Sequence, residues 1–197
     1  MNNQELLDLV KKTSGDPDYQ TIEINDVVIK KGYSQCWMTW ENILKTKIDF
    51  KDKSVCDIGC FNGYFSIKAK KAGAKSVVGI DQNDPALVIS KNISEMNNMD
   101  CEFIKKIVGK DILFEKQYDI IMALNMLHHV RMASGEIVHK QVIDSIIKNS
   151  KESIFEVNAD EIPAVIACIN ENNASYTTRV SHRKTQFGDR TVFYVKN

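Results

Sequence analysis

The sequence predicts an α/β protein: a doubly wound, Rossmann-like sheet of seven strands, mostly parallel, with an antiparallel C-terminal hairpin strand and a short N-terminal helical appendage. Three observations predict it. From residue 51 onward, short apolar runs rich in Val and Ile alternate with amphipathic stretches. Glycine or proline punctuates several of the junctions. The last two strand-like runs have no helical stretch between them. Alternation with short connections places helices on both faces of a parallel sheet, and right-handed crossovers fix its winding.

Residues 4–12 carry Leu6, Leu7, Leu9 and Val10, and Gly15, Asp16 and Pro17 stop that helix. Residues 22–29 are rich in β-branched side chains and predict a short strand or extended segment. Residues 35–45 present Trp37, Trp40, Ile43 and Leu44 at helical spacing. The core then runs strand 54–58, helix 64–72 closed by Gly73, strand 76–80 and helix 85–96. Asp84 is the expected N-cap of that helix, with Pro85 at the favoured first position. Strands follow at 101–108 and 118–124, a helix at 134–148, a strand at 153–157 and a helix at 162–170 opened by Pro163. Strands 176–180 and 191–195 close the sheet. No internal repeat or low-complexity linker appears, so residues 1–197 are expected to form one domain, with an extension over 1–50 and the core over 51–197.

Composition narrows the function classes. Among 197 residues, 43% are apolar, enough for a real core. The 26 basic and 26 acidic side chains cancel, so the basic excess of a non-specific nucleic-acid binder is missing. No run of about 18 apolar residues is present to span a bilayer, and the first residues lack the apolar stretch of a signal peptide. The five cysteines form no CxxC pair, so no metal site is expected. They read as reduced thiols of a cytoplasmic protein.

The most informative stretch is Val55-Cys56-Asp57-Ile58-Gly59-Cys60-Phe61-Asn62-Gly63-Tyr64-Phe65, where the first core strand gives way to a helix. Doubly wound sheets bind nucleotide-like ligands there. Gly59 and Gly63 let the backbone approach a ligand. A dinucleotide fingerprint needs G-x-G-x-x-G. Counting from Gly59, its second and third glycines fall on Phe61 and Tyr64, which crowd a pyrophosphate. S-adenosylmethionine (SAM) carries no phosphate and is cationic. Asp57 supplies an acid near the loop, and Asp81, ending Gly79-Ile80-Asp81, can accept from two ribose hydroxyls.

The run CDIGCFNGYFS followed by VVGID resembles the first two motifs of class I SAM-dependent methyltransferases, and YDIIMALNMLHHV resembles their fourth-strand motif. The likeness covers residues 33–197 and is strongest over 53–130. Phe61 stands where the family pattern has its middle glycine. The resemblance implies SAM as cofactor. Asp57, Gly59, Cys60, Phe61 and Gly63 would line its methionine end and Asp81 would hold the ribose. Gln82, Ile107 and Val108 would flank the adenine, and Asn125 would face the pocket floor. Duller readings stand beside these: Asp57 as a helix-capping carboxylate, Asp81 as a turn residue, Ile107 and Val108 as plain core.

Methyl transfer from a sulfonium is an in-line displacement, so the protein chiefly aligns the acceptor. A base helps if the acceptor is a neutral hydroxyl. His128 and His129, where the fourth strand meets its loop, are the candidates because imidazole titrates near neutrality. The alternative is one packed and one exposed histidine. Glu156, ending the fifth strand, is the third catalytic candidate, against a role in a cap region before Pro163. In related enzymes the segment before the first strand folds over the cofactor and shapes the acceptor pocket, which makes Trp37 and Trp40 candidate acceptor contacts; the competing reading is an aromatic helix face packed on the sheet. Arg179, His182, Arg183, Lys184 and Arg190 form a basic group on the closing hairpin. Arg179 and Arg183 are the candidates to grip a phosphate or carboxylate, against a solvated charge run.

Three function classes remain. The first is an O-methyltransferase for a small molecule or glycan, because residues 53–130 look like methyltransferase domains that cap surface polysaccharides. The second is a tRNA-modifying enzyme, because residues from Trp37 through the glycine loop resemble the wobble-uridine branch; zero net charge argues against it. The third is a non-catalytic SAM-binding partner protein.

Overall fold

The structure, a computed structural model, describes residues 1–109, 117–181 and 188–197. Helix α1 (Asn3–Thr13) opens the chain, and Asn2 and Glu5 close a reciprocal capping box at its start. It buries Leu6 and Val10 against an apolar cluster that includes Ile89 and Ile93. Strands β1 (Ile22–Ile24) and β2 (Val27–Lys30) form a hairpin. Asn25 and Asp26 turn it with φ of 49° and 66°, the left-handed backbone that Asn and Asp tolerate best among non-glycines. Helix α2 (Cys36–Lys45) buries Cys36, Thr39 and Ile43, not its tryptophans.

The core follows as β3 (Ser54–Ile58), α3 (Tyr64–Lys71), β4 (Ser76–Asp81), α4 (Asp84–Met96), β5 (Glu102–Lys105), β6 (Tyr118–Leu124), α5 (Leu127–Lys148), β7 (Ser150–Val157), α6 (Ile162–Glu171), β8 (Ser175–Ser181) and β9 (Arg190–Lys196). The sheet order is β5-β4-β3-β6-β7-β9-β8. The first five strands run parallel, and β9 and β8 pair antiparallel. This is the expected seven-stranded mixed sheet. Both faces are covered: Cys56, Ile58, Ile121 and Phe155 pack toward α5 and α6, while Val55, Ile120, Met122 and Ile154 pack toward α2 and α3. Burial on two sides explains the near-continuous apolar runs of β3 and β6. The chain winds outward from β3 to β5, then returns to β6 on the other side of β3. That reversal opens a crevice at the carboxyl ends of β3 and β6.

Four local boundaries differ from expectation, each for a physical reason. The N-cap of α4 is Asn83, not Asp84: its side chain accepts from the Ala86 amide at 3.1 Å, while Asp84 pairs with Lys105. Strand β5 stops at Lys105, opposite the end of β4 at Asp81, and the Lys106 amide turns back to the Asp81 carbonyl at 3.0 Å. Residues 106–108 are therefore loop. Helix α5 starts at Leu127, seven residues early, because Gly135 (φ 82°, ψ 174°) joins two helical pieces across a kink. Strand β7 starts at Ser150 rather than residue 153, since its pairing with β6 begins at Tyr118↔Ser150.

Candidate active site

A cleft of about 510 Å³ opens at the crevice, inside the usual range for small-ligand sites. The tips of β3, β4, β6, β7 and β9 supply Gly59, Phe61, Asp81, Gln82, Leu124, Asn125, Glu156 and Arg190. The loop after β5 adds Lys106, Ile107 and Val108, the start of α5 adds Met126, His128 and His129, and the N-terminal segment adds Asp16, Tyr19, Gln20, Tyr33, Ser34 and Thr39.

Asp81 anchors one end. One carboxylate oxygen accepts from the Phe61 amide at 2.8 Å and the other from the Asn83 amide at 2.9 Å. A carboxylate has about four lone-pair sites, so acceptor capacity is left for two hydroxyls of a sugar. The glycine loop has little to offer a phosphate. Gly59 and Cys60 donate to the Ile80 carbonyl, Phe61 to Asp81, Gly63 to the Cys60 carbonyl, and Tyr64 to Gln20. With those amides engaged, no phosphate cradle remains among them. An acidic wall, an aromatic ring and a saturated loop fit a cationic, phosphate-free nucleoside such as SAM.

Packing and a left-handed backbone both call for glycine in the loop, at Gly59 (φ 72°) and Gly63 (φ 80°). A Cβ on Gly63 would meet the Ser90 Cβ at 2.9 Å and the Phe103 ring at 3.1 Å, and one on Gly59 would meet the Met126 Cβ at 2.8 Å. Phe61 takes φ 50° without being glycine. Its ring meets Tyr19 edge-on at 5.5 Å, and Tyr19 meets Tyr33 likewise at 5.6 Å. Tyr33 donates to Asp16, which pushes its phenol up to about 12. The Gln20 side chain, buried, bonds the Cys60 carbonyl at 3.3 Å and so docks the N-terminal segment onto the loop.

Asp57, Cys60 and Gly63 do not line the cleft. Asp57 shares a sheet face with Val55, beneath α3, and accepts from Ser66 Oγ at 2.6 Å. Burial pushes its carboxyl up to about 7; the Ser66 bond opposes this, and the charge of Asp81 adds to it. Cys60 is 1% exposed, and burial pushes its thiol up. These three, expected at the methionine end, sit behind the lining of the cleft.

The other end of the cleft collects the catalytic candidates. His128 and His129 occupy the first turn of α5 with ring centroids 4.0 Å apart. Burial, then the neighbouring His129, pushes the His128 imidazole down to about 4. Its Nδ1 is buried with no hydrogen-bond partner among the described residues. Glu156 is 2% exposed and accepts from Thr39 Oγ1 at 2.7 Å. Between the two ends, Asn125 (φ 56°) donates from Nδ2 to the Tyr19 hydroxyl at 2.7 Å.

Trp37, Trp40 and Arg179 fall outside the cleft. Trp37 is 53% exposed. Trp40 stacks on Phe50 at 5.3 Å. Arg179 reaches the Lys45 carbonyl on the surface. The inward face of α2 is set by Cys36, Thr39 and Ile43, so Thr39 rather than a tryptophan reaches the site. His182, Arg183 and Lys184 lie outside the described residues. The reading of the sequence missed Tyr19, Gln20, Tyr33 and Thr39. Only Thr39 had a local signal, the i, i+3, i+7 stripe of its helix.

Comparison with known proteins places the family and the fold. Residues 35–168 match the family model described as ribosomal protein L11 methyltransferase (PrmA). A tRNA U34 carboxymethyltransferase of Nautilia profundicola is 30% identical over 112 residues, 54% of this chain and 35% of that protein. A ribosomal protein L11 methyltransferase of Haemophilus influenzae is 50% identical over 52 residues, 26% of this chain and 18% of that protein. The chain therefore spans about a third or less of the length of these relatives. The N-terminal domain of EvdMO1, solved with SAH and D-fucose, shares the fold at a TM-score of 0.70 with 12% identity, over 100% of this chain and 97% of that one. With the match to its model covering most of the chain, the protein belongs to the ribosomal protein L11 methyltransferase (PrmA) family, within the class I SAM-dependent methyltransferases.

Proposed function

We propose that the chain is a SAM-dependent methyltransferase acting on an oxygen of a small-molecule acceptor. One observation carries the reading. A single cleft has a sugar-type carboxylate, Asp81, toward one end and a buried imidazole and carboxylate, His128 and Glu156, toward the other.

SAM is the cofactor that membership of the superfamily implies; when bound it supplies a sulfonium-activated methyl group. The protein's own part is alignment. Asp81 tethers the ribose, Gly59 and Phe61 line the methionine end, and Gln82, Ile107 and Val108 surround the base. Asn125, fixed by Tyr19, shapes the floor between the two ends. Thr39 holds Glu156 in one orientation toward the acceptor. An imidazole nitrogen of His128 or His129 receives the hydroxyl proton. His128 is neutral above about pH 4, so its lone pair is ready across the working range. A terminal phosphate oxygen would need no such base. The comparisons lend a glycan acceptor no support.

The test is SAH formation by the purified chain with SAM and pools of hydroxyl acceptors, repeated with His128→Ala and His129→Ala. One of the two is expected to slow turnover about 100-fold, the lower bound for a positioned base, with SAM affinity unchanged. Full activity in both returns the pair to structural roles, and no SAH from any pool removes the reading itself.

A second reading, tRNA modification, is favoured by the Nautilia relative. It predicts a tRNA gel shift that weakens steeply with salt. Zero net charge predicts no shift at low salt.

A further inference from the structure

Strand β8 (Ser175–Ser181) ends the sheet: one of its long sides meets β9, and the other meets no strand among the described residues. Residues 175–180 are exposed throughout, on both faces. Proteins ordinarily blunt such an edge with a lysine, a proline, a bulge or a covering element. Residues 175–181 read SYTTRVS, with no lysine and no proline. Their pairing with β9 runs without a shift from Ser175↔Lys196 to Ser181↔Arg190. The outer row of amides and carbonyls is therefore regular along the whole strand.

The strand is also complementary to itself. An antiparallel two-fold axis at Thr178 sets Tyr176 opposite Val180, Thr177 opposite Arg179, and Thr178 opposite its own copy. Tyr176, Thr178 and Val180 share the sheet face that carries Phe193 and Val195. Tyr176 and Val180 are 42% and 52% exposed. Pairing about Thr178 gives that face an aromatic–β-branched pair on each side of a Thr–Thr pair, combinations that stabilise antiparallel strands. On the other face the only charge of the strand, Arg179, falls beside the Thr177 of the second copy. An axis one residue further on, at Arg179, would instead set two guanidiniums against each other. Charge and side-chain pattern thus select one register.

Two further features favour a second copy as the occupant. The 26 basic and 26 acidic side chains cancel, so two copies approach without long-range repulsion. Arg179 reaches the Lys45 carbonyl at the end of α2, where the neighbouring Leu44 is 48% exposed. That helix end adds apolar surface beside the strand.

We infer that β8 pairs antiparallel with β8 of a second copy about an axis at Thr178, which joins the two sheets into one and makes the protein a closed two-fold dimer. The axis reverses the strand directions of one copy against the other. The two clefts, each at the carboxyl ends of its own parallel strands, then open at opposite edges of the joined sheet, and neither obstructs the other. This inference is independent of how the cleft is read.

The experiment is sedimentation equilibrium of the full chain at concentrations up to about 1 mM, so that even millimolar affinity registers. Wild type is expected to reach twice the chain mass and no more. Thr178→Lys and Thr178→Glu each place like charges face to face at the axis and should weaken the dimer at least about tenfold. An equimolar mixture of the two sets opposite charges there and should restore it. A wild type that stays monomeric, a mass that grows past the dimer, single variants that dimerise as tightly as wild type, or a mixture that stays monomeric overturns the inference. Should the variants fail to fold, hydrogen exchange of wild type carries the test: the outward amides within residues 176–180 should slow as concentration rises, and exchange independent of concentration overturns the inference.

Discussion

Asp81→Ala is expected to weaken SAM binding about 100-fold in a calorimetric titration, which is about 2.7 kcal/mol. Two causes add. Hydrogen bonds from sugar hydroxyls to a carboxylate contribute about 1.5–3 kcal/mol each. The same carboxylate also holds the Phe61 and Asn83 amides at 2.8 and 2.9 Å, so alanine loosens both sides of the binding edge before any ligand arrives. Asp81→Asn keeps one acceptor oxygen and should fall between. The two amides lie near the protein surface and regain water in the variant, so the fold should survive. Undiminished affinity in the alanine variant would remove Asp81 from the cofactor site.

The second large effect is on stability against pH, and it centres on Asp57. Its carboxyl titrates near 7 in the folded protein, chiefly because burial penalises the charge, against an ordinary value of 3.8. Between those values the native state binds more protons than the unfolded one, so stability falls as pH rises. The contribution is fully present below about pH 4 and is lost as pH climbs through 7. At 1.36 kcal/mol per unit, the window is worth on the order of 4 kcal/mol. Asp57→Asn stays neutral and keeps an oxygen for Ser66 Oγ, so it should flatten this slope. Its thermal midpoint should exceed that of the wild type at pH 8, with the gap closing at pH 4. Parallel pH profiles for the two proteins would show that Asp57 is not the titrating group.

The fold was legible because its signals are local. A fully buried parallel strand must be apolar along its whole length, and the runs at β3 and β6 announce themselves in that way. The end of β5 was not legible, because pairing stops where β4 stops, a fact of the neighbouring strand. The early start of α5 was hidden by Gly135, whose backbone interrupts the apolar period. In the site, sequence reasoning reached the residues that strand tips carry: Phe61, Asp81, Gln82, Asn125, His128, His129 and Glu156 all line the cleft. The burial of Asp57 beneath α3, off the cleft lining, was not legible, because which face a strand-end side chain takes depends on what covers that face, here α3 and Ser66. It missed Tyr19 because its partner Asn125 lies 106 residues away. No short-range pattern records a meeting of that kind.

The break at Gly135 divides α5 into two pieces with different duties. The C-terminal piece sets Val142, Ile143, Ile146 and Ile147 into the core. The N-terminal piece carries His128 and His129 at the mouth of the site. Leu127 and Val130 anchor that piece in the same core, while the residues just before the break, Met132, Ala133 and Ser134, are exposed. Substitutions at Ala133 and Ser134, exposed and on the cleft lining, can therefore retune which molecules are admitted without repacking the interior, so related chains are free to diverge in diet while keeping the same architecture.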